Sequence, residues 1–84
     1  MITHSQFRNL KRGDYVLVKL SKIYDLGNYA KILEDIRWNA DGVMALVQGL
    51  RKNTNEHINF SLYEHEIEEI LEGEEAALAA LMFI

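Results

Sequence analysis

The feature that most constrains this chain is a series of short period-two apolar alternations, each cut off by turn residues before it is long enough for a helix. Val16, Val18 and Leu20 alternate with Tyr15, Leu17 and Lys19, and Gly13-Asp14 punctuates the entry. Successive side chains of a strand point to opposite faces, so this pattern predicts a half-buried strand. Asp25 to Asn28 then has turn chemistry, because Gly27 and Asn28 both tolerate positive φ, and a hairpin is expected between Tyr24 and Tyr29. The second strand reads Ala30, Ile32, Ile36 and Trp38 on one parity, with a bulge or bend near Glu34-Asp35.

Asn39 to Gly42, "NADG", is the clearest turn signal, and the third strand alternates Val43, Ala45 and Val47 against Met44, Leu46 and Gln48. Gly49 reads as another bulge. A polar loop follows, and "HINFSLY" supplies a fourth strand with Ile58, Phe60 and Leu62 inward. From Tyr63 the period changes. Ile67, Ile70 and Leu71 suit a helix, or a single 3₁₀ turn followed by a short fifth strand. After Gly73, the acids Glu74 and Glu75 sit in the first turn of a final helix, where they complement its dipole, and Leu78, Leu81 and Met82 form a stripe. At the other end, "THSQF" is suited to one helical turn capped by Thr3 or Ser5.

The expected architecture is mainly β: a single domain over residues 1–84, with a small barrel of four to five antiparallel strands in 10–71 and a C-terminal α-helix in 72–84. A chain of 84 residues buries only about 60–65% of its unfolded surface, and the absence of cysteine removes disulfides as a source of stability. Packing or association must supply the rest. No secretory segment is expected at the N-terminus, and the apolar run Ala76 to Ile84 is far shorter than the ~20 residues a membrane helix needs. A cytoplasmic location is therefore the default.

"LKRGDYVLVKL" at the entry and "FSLYEHEIEEI" at the close, with a long first hairpin between them, resemble the small SH3-like barrels, the group that includes KOW and Tudor modules. In that resemblance Gly13-Asp14 makes the entry turn, Val16 and Val18 face the barrel interior, and "LYEHEI" is the one-turn 3₁₀ helix before a last short strand. The resemblance implies a fold and no single function.

Charge is divided along the chain. Residues 1–52 hold all nine Lys and Arg against five acids, giving +4, while residues 53–84 hold eight acids and no Lys or Arg, giving −8. Such asymmetry points to a charged partner or to a tail folded onto its own body. Arg8, Lys11, Arg12, Lys19, Lys22 and Lys31 would form a nucleic-acid-binding face if the barrel gathers them, with aromatics to stack on bases. The alternative is a solvated sheet face whose lysines guard its edges. The run Glu64, Glu66, Glu68, Glu69, Glu72, Glu74 and Glu75 is either a solubilising face or an acidic mimic of nucleic acid. In composition it resembles small acidic inhibitors encoded by phages, and a phage or mobile-element origin fits so compact a chain.

Catalysis has little to stand on. Ser5, Ser21 and Ser61 lie in no nucleophile elbow, and His4, His57 and His65 have no evident triad partners. "HEIEE" spaces His65 and Glu69 four apart but lacks the second histidine of a zinc-protease helix. No enzyme activity, cofactor or metal is expected. An aromatic cage for a cation would require Tyr24, Tyr29, Trp38 and Phe60 or Tyr63 to converge, against the simpler reading that they pack in the core. The apolar tail argues best for a partner. Leu78, Leu81, Met82, Phe83 and Ile84 cover more than the single stripe that docking on its own barrel uses, and surplus apolar surface marks an interface. The expected function is a protein interaction or assembly module, either homo-oligomeric or bound to a different protein, against the simpler reading that the tail only docks on its own barrel.

Overall fold

Thr3 starts the first helix, α1 (His4–Arg8), through a capping box. Its hydroxyl accepts the Gln6 backbone N–H at 3.1 Å while Gln6 Oε1 accepts the Thr3 N–H at 2.8 Å, satisfying two amides that a helix start leaves bare. The computed structural model describes residues 2–19, 26–36, 44–52, 54 and 56–83. Leu20, Lys22, Tyr24, Asp25, Arg37, Trp38, the Asn39 to Gly42 turn, Val43 and Ile84 lie outside them.

After α1 the chain turns tightly. Asp14 Oδ2 accepts the Lys11 N–H at 2.8 Å, the Asp14 N–H donates to the Lys11 carbonyl at 3.0 Å, and Gly13 adopts φ +94°, which favours glycine. The strands are β1 (Tyr15–Val18), β2 (Leu26–Ile32), β3 (Met44–Arg51), β4 (His57–Tyr63) and β5 (Ile67–Ile70), and the second helix is α2 (Gly73–Met82). They form one antiparallel sheet in the order β4-β3-β2-β1-β5. β4 and β5 are its edges, and no ladder joins them among the described residues, so the sheet is open rather than closed into a barrel.

Register determines which side chains share a face. Val16 pairs with Ala30, Ile32 with Val47, Val47 with Phe60 and Ala45 with Leu62. On this face Val16, Val18, Ala30, Ile32, Ala45, Val47, Leu62 and Ile67 are buried, and Ile2, Phe7, Leu10 and Ile36 close over them from α1 and the segments beside it. The Ile36 N–H donates to the Leu10 carbonyl at 3.1 Å and the Arg12 N–H to Asp35 Oδ1 at 2.7 Å, pinning the two covering segments together.

The structure departs from the sequence expectation in three places. Leu26 to Asn28 belong to β2 rather than to a hairpin turn: Leu26 pairs with Arg51 and Ala30 with Gly49, so β2 absorbs extra residues as an irregularity. Gly49 is not a bulge in the β3–β4 ladder, where it pairs regularly with Ile58. A Cβ on Gly49 would sit 2.7 Å from Cε1 of Phe60, so the glycine gives the Phe60 ring room. The second strand ends at Ile32 and bends at Glu34, where a bend was expected, leaving buried Ile36 beyond the strand.

Of the two readings for residues 64–71, the 3₁₀ turn (Glu64–Glu66) followed by a short strand is the one found. Val18 pairs with Ile67, Leu17 with Glu69 and Val16 with Ile70, leaving Glu68 as the extra residue of a bulge. In a regular strand, residues three apart point to opposite faces; the bulge turns both Ile67 and Ile70 toward the core.

Candidate protein interface

α2 lies on the other face of the sheet, and it docks the unexpected way round. Ala79 is its buried residue, Ala76 and Ala80 are half-buried, and Phe83, just past the helix, sets its ring 5.6 Å from that of Tyr15 and 6.2 Å from that of His57. Leu78, Leu81 and Met82 point outward, 59%, 66% and 49% exposed. The physical reason lies in the sheet. Tyr15 and Leu17 of β1 and Tyr29 of β2 project on this side, and a helix lying against such bulk comes close only through small side chains.

The helix start is built for its place. Gly73 takes φ +59°, so the chain turns out of β5, and Glu74 and Glu75 occupy the first turn, where carboxylates meet the positive end of the dipole. Between α2 and the sheet runs an open cleft of about 300 Å³, walled by Leu17 and Tyr29 on one side and Leu78 and Met82 on the other, with Glu69 and Glu75 also lining it. That volume is at the bottom of the roughly 300–1,000 Å³ range of small-molecule sites, which suits a partner's side chain or two better than a cofactor. Leu17 was not picked out by sequence reasoning as a site residue. The signal available for it was parity, since it alternates with the core valines.

The basic residues are spread over the molecule. Arg8, Lys11 and Arg12 follow one another at the end of α1 and in the turn after it, on the core-covering side. Lys19 lies at the other end of β1, its Nζ 3.9 Å from Glu68 Oε2. Lys31 pairs with Tyr15 and so shares the α2 face. The acids are more nearly contiguous, running from the 3₁₀ turn through β5 to the start of α2. Glu64 Oε1 is 2.7 Å from His4 Nδ1, and Glu66 Oε1 accepts the Tyr63 N–H at 2.8 Å. Glu69, Glu72, Glu74 and Glu75 are exposed.

His65 and Glu69 fall in a 3₁₀ turn and a strand, so the shared helix face that would have let them hold a metal together does not form. The His65 ring instead stacks on Tyr63 at 5.7 Å. Among the described residues no group of three or more His, Cys, Asp or Glu side chains is arranged to hold a metal. Tyr29 and Phe60 project from opposite faces of the sheet, so they do not converge on one cage.

No protein-family model, curated protein or solved structure matches this chain. Among the described residues no helix is long and apolar enough to cross a membrane.

Proposed function

We propose that this chain is a non-enzymatic protein interaction or assembly module, acting in the cytoplasm, that associates through the outward face of α2. The observation that carries this reading is the inverted helix: Ala79 is buried while Leu78, Leu81 and Met82 face solvent. A helix whose only task is to cover its own sheet turns its largest apolar residues inward. Burying a large apolar side chain contributes about 1.5–3 kcal/mol, and here about half of that or more remains available to a partner on each of three side chains. We further propose that the sheet is of the SH3-like type. In support, a single 3₁₀ turn leads from β4 into a short β5 that pairs with β1, as the resemblance at "FSLYEHEI" implies.

Light scattering on the full chain at low and high salt tests the reading, beside a variant carrying Leu78→Lys and Leu81→Lys. An assembly that survives salt and falls apart in the variant supports self-association by this face, because apolar contacts are not screened as ion pairs are. A monomer in both, with equal stability, leaves the face open to a different protein. A monomer in both, with much lower stability in the variant, would make these side chains part of the protein's own core and end the reading.

A further inference from the structure

Charge determines what kind of segment fits beside α2. The cleft joins apolar walls, Leu17, Tyr29, Leu78 and Met82, to two exposed carboxylates, Glu69 and Glu75, and among the described residues no Lys or Arg lines it. Lys31, the nearest cation along β2 on that face, lies two residues from Tyr29 and outside the cleft. Glu72 and Glu74 add exposed negative charge at the same end of α2. An occupant that covers the apolar walls takes Glu69 and Glu75 partly out of water, which is costly unless cations meet them. A second copy of α2 laid in the cleft would bring Glu72, Glu74 and Glu75 of its own and no Lys or Arg.

We propose that the cleft between α2 and the outward face of β1 and β2 receives a cationic amphipathic segment of a different protein, with large apolar side chains between Leu17 and Leu78 and Lys or Arg beside Glu69 and Glu75. This assignment rests on α2 being the associating face. The apolar residues supply the contact area, and the carboxylates select the partner by charge and discriminate against acidic sequences.

A random dodecapeptide display library, selected on the immobilised full chain, reads the preference directly. Enriched peptides should place Lys or Arg next to two or three large apolar residues. Their affinity should fall roughly two- to thirty-fold on Glu69→Gln/Glu75→Gln, the range for two exposed ion pairs, and more on Leu78→Gln/Met82→Gln. Enriched peptides that need Leu78 and Met82 but are neutral or acidic, or that bind Glu69→Gln/Glu75→Gln undiminished, would overturn the proposal and leave association through α2 standing. So would a parent chain found by light scattering to be self-associated through this face. Failure to enrich any peptide sensitive to Leu78→Gln/Met82→Gln would also overturn it, and the wider reading would then be decided by size and stability alone.

Discussion

The ring of Phe83 lies 5.6 Å from that of Tyr15 at an interplanar angle of 48°, with His57 6.2 Å away on another strand. This tilted contact fixes the end of α2 to the sheet where the helix itself offers only alanines. Aromatic pairs contribute about 0.5–1.5 kcal/mol beyond the area they bury. Phe83→Ala is expected to cost about 1–3 kcal/mol, less than a fully buried phenylalanine because Phe83 is half-buried. Thermal unfolding should show a drop of several degrees, while amides of β2 and β3 keep their protection from hydrogen exchange.

Gly49→Ala should destabilise the sheet although alanine is the smallest possible addition. The new methyl would meet Cε1 of Phe60 at 2.7 Å, inside any normal contact, so either the ring or the β3–β4 pairing has to shift. Overpacking of this kind costs about 1–3 kcal/mol. Pairing Gly49→Ala with Phe60→Leu, which removes the ring, should recover part of the loss in a urea titration. Equal losses in the single and double variants would show that the ring is not the obstacle.

Deleting Glu68 should be tolerated nearly as well as changing it. Its side chain makes a long contact with Lys19 at 3.9 Å, and partly exposed pairs are worth about 0–1 kcal/mol each, so Glu68→Ala should cost on the order of 1 kcal/mol. Removing the residue leaves Ile67 and Ile70 two apart, the same-face spacing of a regular strand, so both still face inward and the pairs Val18–Ile67, Leu17–Glu69 and Val16–Ile70 are kept without a bulge. Urea denaturation is expected to place the two variants within about 1 kcal/mol of each other, and a gap of about 2 kcal/mol or more, the scale of losing one buried isoleucine, would contradict this account of the bulge.

Leu78→Lys with Leu81→Lys should leave the fold intact. Both side chains are exposed and lysine has nearly the helix propensity of leucine. The lysine replacing Leu78 would also stand four residues after Glu74, a favourable spacing worth about 0.2–0.5 kcal/mol. Circular dichroism melts of a monomeric sample should therefore agree with the parent within about 0.5 kcal/mol, as for ordinary surface changes.

Much of this arrangement was legible in the residues. The alternation of Val16 with Val18 and of Ala45 with Val47, and the parity of Ile58, Phe60 and Leu62, all describe one buried sheet face. What escaped reading depends on partners distant in sequence. Ile67, Ile70 and Leu71 carry helical spacing, yet they belong to a bulged edge strand and the residue after it, because β1 is there to pair with them. Gly27 and Asn28 have turn chemistry but are drawn into β2 by a ladder to β3. Gly49 is explained only once Phe60 is placed diagonally across from it. In α2 the sequence contains both a large and a small stripe, and nothing local says which docks. The choice falls to Tyr15, Leu17 and Tyr29, whose bulk occupies the space that leucines would have filled.

The orientation of α2 is the central claim, and solvent paramagnetic relaxation measured by NMR tests it most directly. With a soluble gadolinium chelate added to a monomeric sample, the methyl signals of Leu78, Leu81 and Met82 should broaden strongly. The Ala79 methyl should be spared, and the Phe83 ring should show cross-relaxation to Tyr15. Protected leucine methyls and a broadened Ala79 signal would mean that α2 docks by its large residues, and the interface proposed here would not exist.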